Sequence, residues 1–83
     1  MMNTEIDPDV PSYSIGFVTE ETSLTARQIR YYEEEGLIDP ARSKGNQRIY
    51  SKNDILELKQ IKELMEEGIN LAGIKRLKKS EKG

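Results

Sequence analysis

Two arginines, Arg27 and Arg30, lie three residues apart in the segment TARQIRYYEE. On a helix this spacing places both guanidinium groups on one face. A guanidinium can donate two hydrogen bonds to O6 and N7 of a guanine, which contributes about 1–3 kcal/mol of discrimination between bases. Thr25 and Gln28 are the neighbouring polar side chains that could reach bases or phosphates. A solvated helix face, with an ion pair such as Arg30 to Glu33, would show the same pattern.

Two adjacent tyrosines follow Arg30 directly. Neighbouring helical residues point about 100° apart, so both rings cannot be equally buried. Tyr32 keeps the phase of Ile29 and is predicted to pack in the core, whereas Tyr31 is predicted to present its hydroxyl to a phosphate. Two tyrosines at the edge of the core are the alternative.

A basic segment follows the break at Asp39-Pro40. Between positions 42 and 52 it holds four basic residues and no acidic one. The Gly45-Asn46 loop, followed by alternating side chains, is typical of a β-hairpin. The hairpin residues predicted to contact the DNA backbone or minor groove are Arg42, Lys44, Asn46, Arg48 and Tyr50. A charged loop in solvent would show the same composition.

Local signals predict the elements that position these side chains. Residues 15–22 fit a short helix, and Ser23-Leu24-Thr25 is a break. Thr25 and Gln28 match a capping box, which places Arg27 in the first turn of a helix that begins at Ala26. Gly36 is predicted to end that helix in the left-handed conformation. Two short helices joined by a tight turn form a helix-turn-helix, and the basic hairpin after it is a wing.

Two amphipathic helices are predicted after the hairpin. Ser51 caps the first, Gly68 ends it and Asn70 caps the second. Their apolar faces comprise Ile55, Leu58, Ile61, Leu64 and Met65, then Leu71, Ile74 and Leu77. The predicted fold class is therefore mainly α, a winged helix-turn-helix over residues 13–79, with a flexible arm over residues 1–12 and the start of a tail over residues 80–83.

Composition narrows the possible function classes. The 83 residues include no histidine and no cysteine, so we predict neither an enzyme nor a metal or cofactor site. The sequence lacks an apolar run of about 18 residues and a secretory signal, so we expect a cytoplasmic protein without membrane contact. The formal charge of −2 is uneven, because residues 1–24 hold five acidic and no basic residues and the remainder holds thirteen basic and ten acidic ones. The basic character is therefore local.

The order of these motifs resembles the MerR family of bacterial regulators. The matching residues are Arg30-Tyr31-Tyr32-Glu33, Gly36-Leu37, Pro40-Ala41-Arg42 and Arg48-Ile49-Tyr50, and the likeness covers about residues 13–79. The segments TARQIRYYEEEGLIDPARSKGN and GINLAGIK are similar to the nitrogen-regulator branch of that family in Firmicutes, which includes the glutamine synthetase repressor. Gln47 stands where a basic residue is expected.

The resemblance implies a repressor of nitrogen-metabolism genes that binds an inverted-repeat operator in double-stranded DNA as a homodimer. It implies a signal from feedback-inhibited glutamine synthetase through a C-terminal tail, expected to be mostly absent after Lys79. It also implies recognition-helix contacts from Arg27, Arg30 and Tyr31, and wing contacts from Arg42, Arg48 and Tyr50. Two other functions stay open: a phage or transposon excision cofactor that bends DNA, and a protein-interaction module without DNA contact.

Overall fold

The computed structural model describes residues 7–82, and the side chains of residues 7–80. Within this range the chain order is α1 Ile15–Thr22, α2 Ala26–Glu34, β1 Ala41–Arg42, β2 Arg48–Ile49, α3 Lys52–Glu66 and α4 Leu71–Lys82. The two strands are antiparallel, with Arg42 opposite Arg48. The predicted fold class, mainly α with a small hairpin wing, is confirmed.

The predicted helix starts are confirmed by their caps. At α2, the Thr25 amide donates to Gln28 Oε1 at 2.9 Å, and the Gln28 amide donates to Thr25 Oγ1 at 3.0 Å. Ser51 and Asp54 form the same reciprocal pair at α3, and Asn70 caps α4. These side chains satisfy first-turn amides that have no partner inside the helix.

Left-handed backbone marks the turns between elements. Gly36 and Gly68 have φ values of +79° and +92°, as predicted for residues that end α2 and α3. In the wing loop the left-handed residue is Asn46, with φ +64°, and not Gly45. Asparagine tolerates this conformation better than most side chains do.

The core lies where α1 packs on α2 and α3, with α4 against α3. Its buried apolar residues are Val18, Leu24, Ile29, Tyr32, Leu37, Ile38, Tyr50, Ile55, Leu58, Ile61 and Ile74. Ile29 and Tyr32 point inward from α2, so the opposite face of that helix, with Arg27 and Arg30, is exposed. The core therefore determines which face of α2 is presented to a partner.

Two predicted apolar positions are wrong. Met65 is 42% exposed and Leu77 is 45% exposed. On α4 the residue buried instead of Leu77 is Lys78. Its ammonium group forms an ion pair with Glu57 and donates to Gln60 Oε1 at 2.8 Å. Positions 77 and 78 both follow the buried isoleucine of α4 at helical spacing, and the polar partners on α3 select the lysine.

Residues 7–12, predicted as part of a flexible arm, are hydrogen bonded to the domain. The Asn53 amide donates to Pro8 O at 2.9 Å, and Asn53 Nδ2 donates to Asp9 Oδ1 at 2.5 Å. The hydrogen-bonded structure thus begins before the boundary predicted at residue 13, and positions 1–6 lie outside the described residues. At the other end, α4 continues through positions 80–82, where a tail was predicted to begin.

Candidate nucleic-acid interface

The outer face of α2 carries the side chains predicted to reach bases. Arg27, Gln28 and Arg30 are exposed, and Arg27 lies in the first turn behind the capping box. Tyr31 is 47% exposed and Tyr32 is 5% exposed, so the predicted division between a surface ring and a core ring is confirmed. Burial and the neighbouring Tyr31 raise the pKa of Tyr32. The helix therefore presents two guanidinium groups and one phenol to solvent.

The wing arginines are joined to α2 through Glu33. The Glu33 carboxylate accepts from Arg42 Nη2 at 3.2 Å with one oxygen and from Arg48 Nε with the other. The hydrogen bond to Glu33 raises the pKa of Arg48. The ion pair between Arg30 and Glu33 considered from the sequence does not form among the described residues, because both oxygens of Glu33 face the wing.

The wing loop is ordered by its own hydrogen bonds. The Ser43 amide donates to Gln47 O at 2.8 Å, and the Asn46 amide donates to Ser43 O at 2.9 Å. Arg42 Nη1 donates to Asn46 O at 3.3 Å. Lys44 is exposed at the tip. The loop thus places Asn46 against Arg42 of the first strand.

An open cleft of about 350 Å³ separates α2 from the wing. Three predicted residues line it, Arg30, Asn46 and Arg48, together with Ser14, Ile15 and Gln47, which were not predicted as site residues. Arg27, Tyr31 and Lys44 lie outside this lining. Ser14 is the N-cap of α1 and accepts from the Phe17 amide at 3.3 Å. A serine directly before an apolar helical segment is the signal that could have identified it.

Tyr50 occupies the core and not the surface of the wing. Its side chain has no exposed area, and its hydroxyl has no hydrogen-bond partner among the described residues. Its amide donates to Tyr13 O at 2.7 Å, which ties the wing to the start of α1. Burial raises the pKa of Tyr50, and Arg48 opposes this shift. This position argues against the predicted contact between Tyr50 and DNA.

Replacing Tyr50 with phenylalanine is expected to raise the free energy of unfolding by about 1 kcal/mol, because it removes a buried hydroxyl without a partner among the described residues. Urea unfolding of the variant and the parent protein at about pH 7 measures the difference. A variant less stable than the parent protein would show that the hydroxyl has a partner.

The two buried tyrosines also predict how stability depends on pH. Burial raises the pKa values of Tyr32 and Tyr50 above the ordinary tyrosine value of 10.0. The stability that these neutral phenols contribute is therefore complete below that pH and is lost as the pH rises further. Urea unfolding of the parent protein at about pH 7 and about pH 10.5 measures this loss.

Two further properties bear on the site. Within residues 7–82, no helix is both long enough and apolar enough to cross a membrane. The described residues also contain no cluster of three or more carboxylates that could hold a metal ion. The site consists of exposed cationic and polar side chains on α2 and the wing.

Residues 13–81 match the family described as MerR HTH family regulatory protein. The chain is 52% identical over 67 residues to the HTH-type transcriptional regulator GlnR of Bacillus anthracis. The aligned region covers 81% of this chain and 52% of that protein. It is 49% identical over 61 residues to the HTH-type transcriptional regulator TnrA of Bacillus subtilis, covering 74% of this chain and 56% of that protein. The chain therefore spans about half the length of the relatives it matches.

A solved structure shares the fold. The crystal structure of HiNmlR, a MerR family regulator lacking the sensor domain, bound to promoter DNA, superposes with a TM-score of 0.74. It is 27% identical, and the match covers 78% of this chain and 50% of that one. The matched relatives are transcriptional regulators and not enzymes, in agreement with the prediction. Because the family match extends over both helices of the helix-turn-helix, the wing, α3 and nearly all of α4, the chain belongs to the MerR family of helix-turn-helix regulatory proteins.

Proposed function

We propose that the protein is a sequence-specific DNA-binding transcriptional repressor that reads a duplex with α2 and holds the flanking backbone with the wing. The observation that carries this proposal is the cleft lined by Arg30 of α2 and by Asn46 and Arg48 of the wing. A cationic groove between a recognition helix and a wing fits the phosphate backbone, which supplies most of the electrostatic affinity. The promoter-bound MerR structure supports this use of the fold.

The residues of the site divide into two roles. Arg27 reads bases from the first turn of α2, with Thr25 and Gln28 beside it, because the first turn of a recognition helix enters the major groove. Arg30 and Tyr31 bind phosphates further along the same helix.

In the wing, the phosphate contacts come from Arg42, Lys44, Asn46 and Arg48. Arg48 donates to Glu33 through Nε, so its two terminal nitrogens have no partner among the described residues. A guanidinium carries five N–H groups. The wing arginines therefore keep donors for DNA while they are paired with Glu33.

The regulatory proposal rests on the similarity to GlnR and TnrA. We infer repression of nitrogen-metabolism genes, an inverted-repeat operator, a homodimer, and a signal from feedback-inhibited glutamine synthetase through a C-terminal tail. The apolar side chains of Met65 on α3 and Leu77 on α4, 42% and 45% exposed, are the proposed contacts with the second copy. A two-fold symmetric protein matches a two-fold symmetric operator.

The test is selection of duplexes from a random pool, followed by binding and sedimentation. We expect enrichment of two inverted half-sites about one or two helical turns apart, with two chains per duplex. Affinity should fall by orders of magnitude between about 50 mM and 200 mM salt. One chain on one half-site with undiminished affinity would contradict the dimer, and a response flat in salt would favour a protein-interaction module. Enriched sites beside an integrase gene would instead favour an excision cofactor.

A further inference from the structure

Glu33 connects the recognition helix to both strands of the wing. Arg42 and Arg48 face each other across the two strands, and both bind the same carboxylate. Arg42 also donates to Asn46 O in the loop. One acidic side chain on α2 therefore holds the first strand, the second strand and, through Arg42, the tip.

Among the described residues, no other hydrogen bond or ion pair joins the strands of the wing to α2. Each strand is two residues long, and an isolated two-stranded hairpin is marginally stable in water. The base of the wing is anchored by Tyr50, whose ring is buried and whose backbone pairs with Tyr13. Beyond that base, Glu33 supplies the side-chain link between the wing and α2 among the described residues. The angle of the basic strands to α2 therefore depends on this carboxylate.

An acidic side chain on this surface has an electrostatic cost for binding a polyanion. The side chains of Glu33, Arg42 and Arg48 are 20%, 40% and 26% exposed, so the cluster is partly open to solvent. Glu33 offsets one of the two positive charges that the wing strands carry. Non-specific affinity, which depends on phosphate neutralisation alone, is lowered by such a charge. A fixed wing, in contrast, favours the duplex geometry that it matches.

We propose that Glu33 is a positioning residue of the DNA interface, which presets the wing against the recognition helix and lowers binding to non-cognate DNA. This inference rests on the proposed function. The orientation and mobility of the wing can, however, be measured without DNA and therefore independently of that function.

The variant is Glu33→Gln, and the matched control is Glu34→Gln. Glu34 is adjacent on α2, is exposed and makes no ion pair among the described residues, so its replacement removes the same charge. Without DNA, ¹⁵N relaxation and residual dipolar couplings report the wing. We expect residues 42–48 to become mobile relative to α2 in the Glu33 variant and not in the control. The Arg48 Nε–H resonance should shift further in the Glu33 variant than in the control, because Glu33 accepts its hydrogen bond whereas Glu34 acts on it only through its charge. A wing as ordered in Glu33→Gln as in the parent protein would overturn the inference.

The second measurement uses two duplexes, one enriched from a random pool by the parent protein and one scrambled from it. Both variants should bind the scrambled duplex more tightly than the parent does, because both lose a negative charge. Only Glu33→Gln should narrow the preference for the enriched duplex, by roughly threefold to tenfold, the range expected for two partly exposed ion pairs. Equal narrowing in the control would reduce the role of Glu33 to charge and overturn the proposal. If the parent protein bound the enriched and the scrambled duplex equally well, the proposed function would be refuted. The relaxation data would still decide whether Glu33 positions the wing.

Discussion

Replacing Arg27 with alanine is expected to weaken binding to the enriched duplex by roughly tenfold to a hundredfold and to change binding to a scrambled duplex by less than about threefold. Arg27 is exposed in the first turn of α2, and its guanidinium makes no hydrogen bond among the described residues. The capping box between Thr25 and Gln28 fixes the backbone that carries it. A base-reading role therefore predicts a loss confined to the sequence that offers the matching guanine.

Two further variants separate base reading from charge. Arg27→Lys keeps the positive charge but loses the planar pair of donors, so it should lose most of the preference for the enriched duplex. Arg30→Ala should weaken binding to both duplexes alike and reduce the salt slope by about 1, as expected for a phosphate contact. Equal losses on both duplexes for Arg27→Ala would assign Arg27 to phosphates as well. Fluorescence anisotropy at several salt concentrations measures all three variants.

Replacing Leu58 with alanine is expected to lower the free energy of unfolding by about 2–5 kcal/mol. Leu58 has no exposed area and lies in α3, against which α1 and α4 both pack. The loss combines the transfer of apolar surface with the cavity that remains. A small domain has a stability of about 5 kcal/mol, so this variant is expected to retain at most about 3 kcal/mol and to unfold at a clearly lower urea concentration than the parent protein.

Leu56→Ala is the matched control for this prediction. Leu56 lies two residues away on the same helix and is 51% exposed, so its replacement should change the free energy of unfolding by no more than about 0.5 kcal/mol. Urea unfolding followed by circular dichroism measures both variants, at protein concentrations that span the onset of self-association. Similar losses for the two variants would contradict the assignment of α3 faces.

Local signals determined much of the fold. The caps at Thr25, Ser51 and Asn70 predicted the helix starts correctly, because each cap is a hydrogen bond between residues three apart in the chain. Gly36 and Gly68 predicted two helix ends, because their backbone conformation depends on the residue itself. The prediction that Tyr31 is exposed and Tyr32 is buried was correct, because Tyr32 lies on the same helical face as the buried Ile29.

Predictions that depended on distant partners were less reliable. The choice between Leu77 and Lys78 depended on Glu57 and Gln60, which lie about twenty residues earlier in the chain. Tyr50 follows Arg48 by two residues, so a period of two places both side chains on one face of the hairpin, and only the tertiary structure shows that the Tyr50 ring is buried. A period of two or of 3.6 residues identifies the faces of an element, but it does not say which face meets the core.

The helix that carries Arg27 and Arg30 shows the same contrast between features set by local sequence and features set by distant partners. Its start and the spacing of its two arginines on one face were determined by the sequence, because they depend on neighbours within one or two turns. The partners of Glu33, which are 9 and 15 residues away, were decided only by the tertiary structure. A carboxylate on a helix surface can pair with any cation within reach, and folding of the wing onto α2 brings Arg42 and Arg48 closer than the helical neighbour Arg30.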